Sequence, residues 1–188
     1  AFRGQLTVVV VPTVALAQDQ ARRIRELRPD YQPGAYHGGL SVNEKKHFRQ
    51  RIENGEQEIV FTNPEAVVTS LAKPLTKAAE HGRLGLFAID EAHVVLSWGD
   101  AFRPHFQALA GFRRHLHRTA ITAGHEPCRT ILASATLTED TVALLDKLFG
   151  DPTPIIPVQA PNVRPEPIYW GLENVPGEQR DEWLLESL

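Results

Sequence analysis

Residues 84–93 read LGLFAIDEAH. The run from Leu84 to Ile89 is apolar apart from one glycine and shows no polar alternation. It ends in two adjacent carboxylates, Asp90 and Glu91, and His93 follows two residues later. Such a run suits a strand covered on both faces, as in the middle of a parallel sheet. A strand of this kind delivers its last residues to the carboxyl edge of the sheet, where open α/β folds place their ligands. Two neighbouring carboxylates there repel each other and lose hydration, and a divalent cation relieves both penalties. Mg²⁺ suits the position, because it takes one or two carboxylates, several waters and substrate phosphates. The plainer alternative is a strand end at which Asp90 caps the next helix.

The chain on either side repeats the strand-then-helix pattern. Leu6 to Val11 (LTVVVV) reads as a strand ended by Pro12-Thr13, and Val14 to Leu27 as a helix. Tyr36-His37-Gly38-Gly39 reads as a turn. Ser41 with Glu44 three residues on forms a capping box that opens another helix. Glu58 to Phe61 reads as a strand, with Pro64 at the first position of a short helix. After the strand at Leu84–Ile89, a helix over Pro104–Arg118 places Phe106, Leu109, Phe112 and Leu116 on one face. Arg129 to Ala133 reads as a fourth strand and Thr138 to Phe149 as a helix. The segment from Asp151 to Pro167 is proline-rich, with room for a short strand at Ile155–Val158. Strands alternating with helices of this length predict an α/β fold built of βαβ units on a mostly parallel sheet. The domain is expected to span residues 1–160, and residues 161–188 read as an exit path.

The chain has 188 residues, 42% hydrophobic and 23% charged, enough for one domain with a real core. The net charge of −3 does not announce a nucleic-acid binder. Arginine nevertheless outnumbers lysine 15 to 5, and arginine is the better fork for phosphates, although a GC-rich genome gives the same bias. The single Cys128 excludes an internal disulfide and a cysteine-rich zinc site. No apolar run is long enough to span a membrane and no signal peptide is recognisable, so a cytoplasmic location, in a bacterial-type cytosol or nucleoid, is expected. The sequence contains no methionine, so a piece of a longer protein, or an ordered part of one, is expected.

Three further strand ends carry polar clusters before a helix: Pro12-Thr13, Thr62-Asn63-Pro64-Glu65 and Ser134-Ala135-Thr136. Hydroxyls and backbone N–H groups at helix N-termini bind phosphate. Each cluster alone is equally a helix cap, but four on one edge of one sheet would face a single crevice.

These residues resemble the motifs of superfamily 2 helicases. Asp90-Glu91-Ala92-His93 is similar to motif II, Ser134-Ala135-Thr136 to motif III, Val10-Val11-Pro12-Thr13 to motif Ia and Thr62-Asn63-Pro64-Glu65 to motif Ib, in matching order. Trp98-Gly99-Asp100-Ala101-Phe102-Arg103-Pro104 resembles the aromatic-rich loop of RecQ-family DNA helicases. Pro12, Leu16, Asp19 and Gln20 fit the RecQ form of motif Ia, and Arg164-Pro165 fits the region leading to the second lobe. Two positions depart from the pattern. Asp100-Ala101 stands where RecQ proteins usually have His-Asp, and SAT stands where they usually have TAT.

The resemblance implies a RecA-like, three-layer αβα domain binding ATP and Mg²⁺. Residues 1–160 would be a partial helicase ATP-binding domain, and 161–188 a linker towards a second helicase lobe. Asp90 and Glu91 would hold Mg²⁺ through water, with Glu91 also orienting and deprotonating the attacking water. His93 would link that centre to motif III, and Ser134 and Thr136 would line the nucleotide side. Pro12, Thr13, Thr62, Asn63, Trp98, Phe102 and Arg103 would contact nucleic acid. Trp98 and Phe102 would do so from a loop before the helix, as stacking faces for unpaired bases. The implied activity is ATP-dependent DNA unwinding, 3′ to 5′, on single-stranded DNA or a duplex junction. A repair or defence complex is among the partners implied. No Gly-Lys pair occurs in the sequence, so the phosphate-binding P-loop is expected upstream of Leu6, and the arginine finger beyond residue 188. Two other functions fit the same residues: a nucleic-acid-binding or regulatory module without a motor, and a DNA translocase of a restriction or defence complex.

Overall fold

The computed structural model describes residues 4–94 and 99–158, without the side chains of 99–103 and 105. Trp98, the Arg164-Pro165 pair and the expected linker 161–188 lie outside the described residues. The elements are β1 (Leu6–Val10), α1 (Val14–Leu27), β2 (Pro33–Tyr36), α2 (Val42–Asn54), β3 (Ile59–Thr62) and α3 (Pro64–Val68). They continue with α4 (Ala72–Glu80), β4 (Leu84–Ile89), α5 (Gly99–Thr122), β5 (Arg129–Leu132) and α6 (Glu139–Phe149).

The five strands form one sheet in the order β2-β3-β1-β4-β5, and every neighbouring pair is parallel. The period of two along β1 divides its side chains between two cores. Leu6, Val8 and Val10 join Val60, Phe87 and Ile89 under α4, α5 and α6. Val9, Val11, Ile59 and Phe61 pack instead against Leu16, Ala17, Ala21 and Ile24 of α1. Helices therefore cover both faces, giving the three-layer αβα architecture. Val8 and Phe87 are fully buried, and each such side chain contributes about 1.5–3 kcal/mol.

Four expectations need correction. Residues 33–36 form an edge strand before the predicted turn. Pro33 opens it, where a missing N–H costs nothing. Gly34 is required because the Phe48 ring lies 2.6 Å from where a Cβ would stand. Helix α4 also escapes the sequence reading, since Pro74 interrupts its pattern. Pro74 falls within the first turn, where a helix tolerates it, and Leu75, Ala78 and Ala79 are buried. The third correction is to α5, which begins at Gly99 and not at Pro104, so Phe102 and Arg103 are on helical backbone and not in a loop. Pro104 is exposed in the second turn, where it removes only one bond, to Asp100. Finally, Ile155–Val158 is not a strand. Pro154 and Pro157 remove ladder donors there, and Ile155 N–H bonds Asp146 Oδ1 at 2.7 Å.

Candidate active site

The parallel register lines up Tyr36, Thr62, Val10, Ile89 and Leu132 across one edge of the sheet. The polar clusters that follow β3, β1, β4 and β5 therefore leave the sheet side by side.

At the end of β4 the ladder continues for one more bond, with Asp90 N–H donating to Val10 O at 2.9 Å. The chain then turns sharply. Glu91 has φ +53°, the one non-glycine residue with positive φ among the described residues. Left-handed backbone costs an L-residue about 1–2 kcal/mol, and the surroundings hold it in place. Asp90 Oδ1 accepts Glu91 N–H at 3.0 Å, Ala92 N–H donates to Ala133 O at 2.8 Å, and Val94 N–H donates to Glu91 O at 3.0 Å. Asp90 thus does bond the following backbone, yet no regular cap results. The turn places Pro12, Pro64, Asp90 and Glu91 around one small crevice, floored by Val10, Ile89 and Phe106.

His93 joins the β4 and β5 ends. Its Nδ1 lies 3.2 Å from Glu91 Oε2 and 2.9 Å from Ser134 Oγ. Ser134 Oγ in turn donates to Thr136 O at 2.9 Å and accepts Thr136 N–H at 3.1 Å. With its proton on Thr136 O, the serine hydroxyl can only accept from His93. Nδ1 therefore carries the ring proton, shared between Ser134 Oγ and the Glu91 carboxylate. Glu91, His93, Ser134 and Thr136 form one connected set, with Asp90 holding the Glu91 amide.

Thr13 is exposed at the N-cap of α1, its Oγ1 accepting Leu16 N–H at 3.2 Å, and Pro12 beside it is half-buried. Asn63 caps α3, Oδ1 accepting Ala66 N–H at 3.0 Å. Thr62 differs from its expected role as a contact. It is 0% exposed, and its hydroxyl donates to Tyr36 O at 3.0 Å, so it fixes the β2–β3 edge and presents no surface.

Sequence reasoning missed a second cleft on this edge, beside Asn63. It is lined by His37, Gly38, Lys45, Arg49, Asn63 and Ser70, among others. Lys45 Nζ donates to Gly38 O at 2.6 Å, and Arg49 Nη1 to the Tyr36 hydroxyl at 3.3 Å. Gly39 N–H donates to His37 Nδ1 at 3.2 Å, and Gln18 Nε2 lies 3.1 Å from His37 Nε2. The available signal was the four-residue spacing of Lys45 and Arg49, which puts both on one face of α2.

The donor set suits Mg²⁺, since Asp90 and Glu91 are both partly exposed carboxylates on one turn. Among the described residues no group of three acidic, histidine or cysteine side chains forms a closed metal cage. No helix among them is long and apolar enough to cross a membrane.

The family model described as DEAD/DEAH box helicase matches residues 1–145. The chain is 31% identical over 145 residues to ATP-dependent DNA helicase Q5 of Mus musculus, a match covering 74% of this chain and 14% of that protein. It is 34% identical over 115 residues to ATP-dependent DNA helicase RecQ of Synechocystis, covering 60% of this chain and 23% of the relative. The chain thus spans less than a quarter of the length of these relatives. Among solved structures, the DUF1998 helicase MrfA bound to DNA and AMPPNP has the same fold, with TM-score 0.62 and 24% identity over 83% of this chain and 21% of that one. Mss116p bound to ssRNA and AMP-PNP shares the fold with TM-score 0.55 and 20% identity, over 78% of this chain and 28% of that one.

Proposed function

Because the chain belongs to the DEAD/DEAH box helicase family, we propose that it is most of the first, RecA-like motor lobe of an ATP-dependent, RecQ-like DNA helicase. The observation that carries this reading is the strained Glu91 turn tied through His93 to Ser134 on the neighbouring strand. Strain of this kind persists where the surroundings over-determine it, and it concentrates at functional sites.

Asp90 and Glu91 would hold Mg²⁺, which would neutralise charge on the phosphates of ATP. Asp90, with Oδ1 bonded to the Glu91 amide, would have Oδ2 to offer the metal. Glu91 Oε1 orients the attacking water and takes its proton. His93 holds Glu91 Oε2 and reports its position to Ser134 and Thr136. Phosphoryl transfer depends chiefly on positioning and electrostatics, which is what such a connected set provides. DNA runs along the same edge. Thr13, Asn63 and the cleft of Lys45 and Arg49 contact its backbone, and Trp98, Phe102 and Arg103 meet unpaired bases.

The sheet supports a partial domain. Among the described residues, β5 pairs on one side only, and Ile131 in its middle is 51% exposed. Leu86 and Ala88 of β4 and Ile131 are less buried than their neighbours along each strand, on the side that α1 covers only over β1, β2 and β3. A half-covered apolar sheet face calls for a further strand and helix. The strand and helix that bear the P-loop would fill it. Residues 1–160 are then the ATP-binding part, and 161–188 lead towards the second lobe.

The test uses the full-length protein, with 3′-tailed and 5′-tailed duplexes and Mg·ATP. The expected result is hydrolysis stimulated by single-stranded DNA, with strand separation from the 3′ tail. Stimulated hydrolysis without strand separation would identify a translocase. DNA binding without any hydrolysis would identify a module that has no motor.

A further inference from the structure

Helix α6 ends at Phe149 without a left-handed glycine, since Gly150 follows at φ −76°. The last carbonyls of a helix have no intrahelical donor, and here α5 supplies donors. Arg114 Nη1 donates to Leu148 O and Arg113 Nη1 to Phe149 O, both at 3.0 Å. Arg113 Nη1 also donates to Asp151 O at 2.5 Å, and Arg113 Nε to Thr130 Oγ1 at 2.9 Å. One guanidinium thus joins α5, the start of β5, the end of α6 and the segment that follows. Asp146 completes the tie, its Oδ1 accepting Ile155 N–H.

Arg113 is 6% exposed, and among the described residues no carboxylate lies within ion-pair distance of it. It sits on the buried stripe of α5 with the apolar Phe106, Leu109, Ala110 and Leu116 and one other polar residue, His117. A buried cation loses its hydration, and an apolar residue of similar volume often stabilises a core as well or better. The particular property of arginine here is a rigid fork of donors that fixes the direction of several backbone oxygens at once.

We propose that Arg113, seconded by Arg114, is a positioning device that ties the orientation of α5 to the segment Leu148–Ile155, by which the chain leaves this compact unit at Ile156. Helix α5 is 24 residues long, hence about 36 Å. Its first five residues include Phe102 and Arg103, the expected nucleic-acid contacts. A displacement at that end is carried as a rigid body to the Arg113 clamp and so to the exit segment. The consequence is a link between DNA at the carboxyl edge and the chain leading out of the lobe. This link rests on the helicase reading above.

The test compares the full-length wild type with Arg113→Met, which fills similar space without the donors. Basal hydrolysis, DNA-stimulated hydrolysis, DNA affinity and amide exchange over residues 148–155 are measured. The expected variant folds and keeps basal hydrolysis and DNA affinity. It loses stimulation by about fivefold or more, a typical coupling strength, and exchanges faster over 148–155. DNA should alter exchange over 148–155 in the wild type and not in the variant. Full stimulation in Arg113→Met, or equal loss of basal and stimulated rates, overturns the proposal and leaves the helicase reading standing. A wild type that shows no DNA-stimulated hydrolysis overturns the helicase reading itself, and this proposal with it. Should Arg113→Met fail to fold, Arg113→Lys, which keeps the charge and loses the fork, decides on the same readouts.

Discussion

His117 lies one turn beyond Arg113 and is 8% exposed, with Nε2 buried and unpartnered. Burial, and after it the neighbouring Arg113 guanidinium, push its imidazole down to about 4 from the usual 6.5, and a bond to the Cys128 backbone offsets little of this. The unfolded chain therefore binds a proton between pH 6.5 and 4 that the folded chain refuses. The contribution of His117 to stability is complete above about pH 6.5 and is lost as pH falls towards 4. Its size is up to about 3 kcal/mol. Denaturant melts of this chain at steps from pH 7 to 4 should show that loss, and His117→Gln should show a shallower slope. Parallel slopes would mean that the histidine is hydrated when folded. No pattern in the sequence distinguishes this histidine from the seven others, because its pKa comes from α5 packing on the start of β5. The Glu91 conformation was equally illegible. Glutamate has no local preference for left-handed backbone, and the conformation is imposed by bonds to Asp90 and from Ala92 to Ala133, 41 residues away. The proximity of the acid pair and His93, by contrast, is written in adjacent positions.

Elements with local signals were read correctly. The capping box of α2 forms as expected, Ser41 N–H donating to Glu44 Oε2 at 2.8 Å and Glu44 N–H to Ser41 Oγ at 3.3 Å. Ser41→Ala should lower stability by about 1 kcal/mol, measured by denaturant midpoint at unchanged m-value. An unchanged midpoint would show that α2 is fixed by packing alone. The strands β1 and β4 declare themselves through unbroken apolar runs. Strand β2 did not, because Pro33 and Gly34 are poor strand formers and the strand exists by pairing with β3 and admitting the Phe48 ring. For α5, proline chemistry suggested a start five residues too late, and the true start changes where the aromatic-rich residues lie. Phe102 and Arg103 are placed by a rigid helix, which is what lets the Arg113 clamp sense them.

For the whole molecule, the order β2-β3-β1-β4-β5 explains why four motifs scattered over some 125 residues come to one edge. Parallel strands bring all their carboxyl ends to one edge, and the sequence already fixes which residues come last on each strand. The half-covered face at Leu86, Ala88 and Ile131 is visible only once the sheet is built. The central claim is that Glu91 is the proton acceptor of a helicase motor. It is tested most directly by Glu91→Gln in the full-length protein, measuring Mg·ATP affinity and the single-turnover rate of hydrolysis. Gln keeps the shape and one acceptor near His93 but cannot take a proton from water at neutral pH. The account predicts affinity close to wild type and a rate lower by about 10²–10⁴-fold. A variant that hydrolyses ATP at the wild-type rate would contradict it.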